Sequence, residues 1–228
     1  NTFSDNNKKL ITFVTGGDPD LKTSKKIVKK IIQSGSDIIE IGMPFSDPMA
    51  DGPIIQESSN RAIKKGIDLE NIFNISADIR KYNDKIPIIL MGYYNLIFHY
   101  GIKKFVRKCI SSGVDGLIIV DLQPEEDLEL ISALNKTDID LIRLITPTTN
   151  ENRLKTILKN ASGFLYYVTI TGITGQKTAD MKELSKSINK IKKYTNLPVV
   201  SGFGIKNIKH VKEACKVADG VVIGSAII

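Results

Sequence analysis

The sequence predicts an α/β fold, a single-domain (β/α)8 barrel. Short apolar, β-branched runs alternate with helical patterns along the whole chain, eight such units follow at roughly 25 to 30 residues each, and the runs end in glycine, proline or a carboxylate. Strict alternation implies parallel strands. The same alternation also allows an open doubly wound sheet, which stands as the second architecture.

Leu10 to Val14 is the first strand, ended by Gly16-Gly17-Asp18-Pro19, and the helical pattern from Lys22 to Ser34 follows. Ile38 to Gly42 is the second strand, with helices over Gln56 to Lys65 and Leu69 to Tyr82. Ile86 to Met91 is the third, ended by Gly92-Tyr93-Tyr94-Asn95, with a helix from Ile102 to Ser111. Gly116 to Val120 is the fourth, stopping at Asp121, and Pro124 marks the start of a helix over Glu125 to Leu134. Leu141 to Ile145 with the helix from Asn152 to Asn160, and Phe164 to Val168 with the helix from Leu184 to Tyr194, make the fifth and sixth units. Pro198 to Val200 opens the seventh strand, interrupted by Gly202-Phe203-Gly204 before a helix from Ile208 to Val217. Gly220 to Ile223 is the eighth, and an eighth helix would start where the sequence stops at Ile228, so the C-terminal helix is expected to be missing from this sequence.

The bulk composition fits one globular unit. With 228 residues, 42% hydrophobic, the chain can bury a large core, and nothing in its composition marks a linker. No apolar run approaches the ~20 residues of a membrane helix, and Asn1 to Lys9 has no signal-peptide character, so a cytoplasmic protein away from membranes is expected. The net charge of +7 comes from lysines scattered along helices with few aromatics between them, which favours a solvated surface over nucleic-acid binding. Cys109 and Cys215 lack metal-ligand spacing and read as reduced, buried thiols; His99 and His210 read as core or surface residues away from the mouth, with no third ligand for a metal.

In a barrel the chemistry sits at the C-terminal ends of the strands, so Glu40 and Asp121 and the loops after strands one, two, three and six face one mouth. Glu40 ends an otherwise apolar strand, where desolvation demands a partner or raises the pKa. Asp47 and Asp51 follow on a loop stiffened by Pro44, Pro48 and Pro53; Asp-Pro and Asp-Gly are also ordinary turn dipeptides. Two carboxylates in different surroundings can divide acid and base roles. Glycine turns at 172 to 175, 202 to 204 and 224 to 225 lie on adjacent parts of the rim and suit a phosphate held by backbone N–H groups.

These motifs resemble the tryptophan synthase alpha subunit family. The likeness rests on Phe13-Val14-Thr15 with Gly17-Asp18-Pro19, the run from Glu40 to Pro53, Met91-Gly92-Tyr93-Tyr94-Asn95, Asp121-Leu122-Gln123-Pro124-Glu125-Glu126, Tyr166, and the three glycine turns. It implies a TIM barrel that cleaves indole-3-glycerol phosphate to indole and glyceraldehyde 3-phosphate and passes indole to a beta subunit in an α2β2 complex. It further implies Glu40 as general acid/base, Asp51 as the second catalytic carboxylate and Tyr166 beside them. Phe13 and Met91 would line the indole pocket, and Thr174 would sit in a mobile loop closing over Asp51. The amides of Gly175, Gly204, Gly224 and Ser225, with the Ser225 hydroxyl, would bind the phosphate. No metal or cofactor is expected in this chain; pyridoxal phosphate belongs to the beta subunit. Thr169 stands where the family often has serine, and Gln123 where it usually has proline in the region contacting the beta subunit, so Gln123 bears on subunit coupling more than on lyase chemistry.

Other readings stay in play. A Schiff-base aldolase needs a desolvated lysine at a strand end, whereas no strand here ends in lysine and Lys177 lies in the sixth loop. An isomerase of phosphorylated precursors on the same barrel, or a regulatory partner with decayed chemistry, are the remaining alternatives.

Overall fold

The computed structural model describes residues 2–5, 7–168, 181–202 and 208–228. In chain order its elements are β1 (Lys9–Thr15), α1 (Leu21–Gln33), β2 (Ile38–Gly42), α2 (Pro53–Lys64), α3 (Leu69–Arg80), β3 (Ile88–Gly92), α4 (Tyr94–Tyr100), α5 (Ile102–Ser112) and β4 (Gly116–Ile119). There follow α6 (Leu128–Leu134), β5 (Asp140–Leu141), β6 (Arg143–Ile145), α7 (Glu151–Leu158), β7 (Leu165–Val168), α8 (Met181–Ile191), β8 (Val199–Gly202), α9 (Ile208–Ala214) and β9 (Gly220–Ile223).

All strand pairs are parallel, in the order β5-β4-β3-β2-β1-β9-β8-β7-β6. β5 and β6 are two pieces of one strand interrupted only at Ile142, β5 pairing with β4 and β6 with β7. The two ends of the ladder are therefore the same stretch of chain, and the sheet closes into a TIM barrel; the open doubly wound sheet is excluded. Strand alternation sorts the core into two shells. Ile11, Phe13, Ile38, Ile89, Ile118, Tyr166 and Val200 pack inside the barrel. Ile39, Ile41 and Leu90 point the other way, against Ile72, Ile75 and Ile79 of α3.

Several boundaries differ from the sequence reading for identifiable reasons. α4 lies where the sequence shows only a strand-ending turn, because nothing local caps it; its first N–H is taken by Asp121 from the next loop, at 2.7 Å. α6 starts at Leu128 rather than Glu125, because Glu125 is drawn outward to Arg153 and Asp127 inward to Arg143. α2 starts three residues early, with Pro53 in its first turn, where a missing N–H costs nothing. α8 lies three residues earlier than expected, α9 starts at Ile208 as expected but ends at Ala214, and Gly202 belongs to β8 instead of interrupting it. Cys109 is buried, but Cys215 is only half-buried, which corrects the expectation of two buried thiols. No helix among the described residues is long and apolar enough to cross a membrane.

Candidate active site

Glu40 lies two residues beyond Ile38 on β2 and so shares its inward face. The register sets it between Phe13 of β1 and Ile89 of β3. It is 1% exposed, and neither carboxyl oxygen has a hydrogen-bond partner among the described residues. Burial first, and the nearby Asp51 charge second, push its pKa up to about 8. Glu40 is therefore a protonated acid at neutral pH.

Asp51 comes from the loop between β2 and α2, and that loop is held at several points. The Asp51 N–H donates to Pro48 O at 3.0 Å, and Gln56 Nε2 donates to Asp51 O at 2.8 Å. Tyr93, the first residue after β3, donates its hydroxyl to Asp51 Oδ2 at 3.1 Å. Burial raises the Asp51 pKa while the Tyr93 hydrogen bond pulls it back. At the far end of the loop, Thr15 and Ser58 share a buried hydroxyl pair at 2.5 Å, fastening α2 to the end of β1.

Tyr166 points into the barrel from β7, flanked by Leu144 and Val200, and is 4% exposed. Burial, then Glu40, then Asp51 hold its phenol well above the ordinary tyrosine pKa, so it is a neutral donor that feels both acids. Phe13 lies over Gly42, where a Cβ would fall 2.6 Å from Cζ, and beside Gly224, where one would fall 3.3 Å from Cδ1. Met91 packs half-buried against the same interior cluster. The structure thus brings Glu40, Asp51, Tyr166, Phe13 and Met91 to one end of the barrel interior.

Of the predicted phosphate contacts, Gly224 follows β9 beside Phe13, and Ser225 opens an exposed turn in which Ile227 N–H donates to Gly224 O at 2.8 Å. Thr174, Gly175 and Gly204 lie outside the described residues, as do Thr169 and Lys177. Asp121, at the end of the fourth strand, caps α4 by accepting from Tyr94 N–H at 2.7 Å. Sequence reasoning passed over Tyr93. Its signal was position: the residue just past a barrel strand sits at the mouth, and here it is a buried aromatic with a hydrogen-bonding tip. His99 is exposed on α4, and no group of three or more His, Cys, Asp or Glu among the described residues could hold a metal ion.

A closed parallel barrel with a buried acid, a second carboxylate and a tyrosine near its C-terminal mouth defines the class, a (β/α)8-barrel enzyme. The model of the tryptophan synthase alpha chain family matches residues 1–228, and the chain belongs to that family of lyases in tryptophan biosynthesis. Among solved structures it is similar to tryptophan synthase subunit alpha from Campylobacter jejuni, with 39% identity and a TM-score of 0.88 over 99% of this chain and 90% of that one. It is also similar to tryptophan synthase subunit alpha from Legionella pneumophila, with 36% identity and a TM-score of 0.89 over 96% of this chain and 81% of the other. A structure from Aquifex aeolicus matches with 38% identity and a TM-score of 0.90, covering 99% and 87% of the two chains. The family's reaction is the retro-aldol cleavage of indole-3-glycerol phosphate to indole and glyceraldehyde 3-phosphate.

Proposed function

We propose that this chain performs that cleavage by acid–base catalysis on two carboxylates, without a cofactor of its own. Glu40, protonated, gives its proton to indole C3. Asp51, ionised, stabilises the positive charge that develops at the ring nitrogen. As the bond from C3 to the glycerol chain breaks, the Glu40 carboxylate takes the proton of the neighbouring hydroxyl, which becomes the aldehyde. Glu40 ends as it began, so protons balance over one turnover.

Tyr166 acts beside the two acids as a neutral hydrogen-bond donor, while Phe13 and Met91 grip the indole ring. The amides of Gly175, Gly204, Gly224 and Ser225, with the Ser225 hydroxyl, take the phosphate, and Thr174 takes part in binding the substrate. The observation that carries this reading is Glu40 itself: a carboxyl buried to 1% exposure with no hydrogen-bond partner among the described residues is costly to keep unless its proton is used.

A beta subunit, the carrier of pyridoxal phosphate, receives the indole in a cytoplasmic α2β2 complex. Its docking face is the rim beyond β2, β3 and β4, where Met49, Phe98 and Leu128 are exposed at 85%, 63% and 73%. The test of the chemistry is turnover of indole-3-glycerol phosphate by Glu40→Gln, expected to fall about 10²- to 10⁴-fold. Turnover at the unmodified rate would reject Glu40, and loss of wild-type activity on borohydride treatment with a carbonyl substrate would point to a lysine instead.

A further inference from the structure

We infer that Tyr93 is the positioning residue of the Asp51 carboxylate, its hydroxyl fixing the rotamer in which Asp51 meets the indole ring. This rests on the role given to Asp51 above. The hydroxyl is the middle of a chain of two hydrogen bonds: it accepts from Ala50 N–H at 3.1 Å and donates to Asp51 Oδ2 at 3.1 Å. It is thereby tied at once to the loop backbone and to the carboxylate that the loop presents.

Packing does not need that oxygen. The Tyr93 ring is 3% exposed and stacks on Phe45 at 5.1 Å between centroids, a contact phenylalanine would keep. The loop backbone does not depend on it alone either, since Pro48 O and the Gln56 amide hold the main chain of Asp51. What remains for the hydroxyl is the carboxylate. A carboxylate on a loop has freedom about two side-chain torsions, and a misplacement of about 1 Å at a reacting centre costs on the order of 10²-fold in rate.

Among the described residues, the charged and titratable groups facing Asp51 are Glu40 from β2, Tyr166 from β7 and Tyr93 itself, with Asp121 near the Tyr93 ring. Of these, Tyr93 is the hydrogen-bond donor that favours the charged form of Asp51. Burial first, then Asp51, raises the Tyr93 phenol, so it stays protonated and able to donate throughout the working range.

The test is Tyr93→Phe on the full chain, beside Asp51→Asn, with indole release followed across pH. Tyr93→Phe is expected to lower kcat about 10- to 100-fold, the range of a hydrogen bond to a charged group. KM should hardly change, and the acidic limb of the profile should move to higher pH. Thermal unfolding should stay close to wild type, since the ring contact is retained. An unchanged kcat and acidic limb in Tyr93→Phe, with Asp51→Asn strongly impaired, overturns the inference and leaves the Asp51 assignment standing. A rise in KM alone overturns it too, by making Tyr93 a wall of the substrate pocket. Full activity of Asp51→Asn removes the reading on which the inference rests.

Discussion

Tyr166 rests directly on the backbone of Gly202: a Cβ built at 202 would overlap the tyrosine ring and hydroxyl. The register explains it, since Val168 pairs with Gly202 and the inward Tyr166 side chain leans across the neighbouring strand. Gly202→Ala therefore cannot be accommodated without turning Tyr166 away from Glu40 and Asp51. The expected outcome is a stable barrel, weakened by about 1–3 kcal/mol, with kcat reduced tenfold or more. Urea titration and steady-state kinetics on the same preparation check both halves.

Glu40 should also leave a signature in stability. Its ordinary pKa of 4.5 becomes about 8 in the fold. Between those values the unfolded chain has lost the proton and the folded chain has kept it, so stability falls as pH rises, by about 1.4 kcal/mol per pH unit from this group. Below 4.5 both states hold the proton and the effect vanishes. Glu40→Gln removes the titration, so relative to wild type it should gain stability steadily from pH 5 to pH 8. Denaturation midpoints at several pH values test this; parallel curves for the two proteins would show that Glu40 titrates normally.

Much of this was legible in the sequence because the barrel repeats a local rule. Ile38, Ile39 and Ile41 around Glu40 mark a strand buried on both faces, and the period of two puts Glu40 inside. Phe13, Met91 and Tyr166 are singled out only by the family resemblance, and all three side chains belong to the interior cluster. The features that escaped depend on partners distant in the chain. α4 is capped by Asp121 from another loop, and the delayed start of α6 answers to Arg143 and Arg153, beyond the reach of any local pattern. Tyr93 reads as one more loop aromatic until Asp51 is seen to fold back to it.

Arg143 and Asp127 form an ion pair at 5% and 0% exposure, with Arg143 Nη1 also donating to Leu122 O at 3.3 Å. Burial, with Arg153 nearby, draws the Arg143 pKa down to about 10, which leaves it charged at neutral pH. The pair anchors the rim loop after β4. Asp127→Asn strands a buried guanidinium and should cost about 3–5 kcal/mol, whereas Arg143→Met with Asp127→Leu should recover much of the loss. On the same loop Arg153 meets Glu125 and Gln123 at the surface, and Arg153→Ala should cost no more than about 1 kcal/mol. Equal losses in Asp127→Asn and Arg153→Ala by chemical denaturation would contradict this division.

The Asp51 charge bears on the ionisation of Glu40, and that influence gives a prediction with a definite sign. The Asp51 charge is the second cause that raises Glu40, after burial. Asp51→Asn keeps the shape of the side chain and removes the charge, so Glu40 should ionise at a lower pH while remaining above 4.5 through burial alone. Since the reaction needs Glu40 protonated at the outset, the basic limb of the kcat/KM profile, near pH 8 in the wild type, should shift to lower pH in Asp51→Asn. This comes on top of a loss of about 10²–10³ in kcat from the missing stabilisation at the ring nitrogen. Residual turnover followed from pH 5.5 to 9 separates the two effects: a lower plateau with an unmoved limb would mean that the two acids do not sense each other.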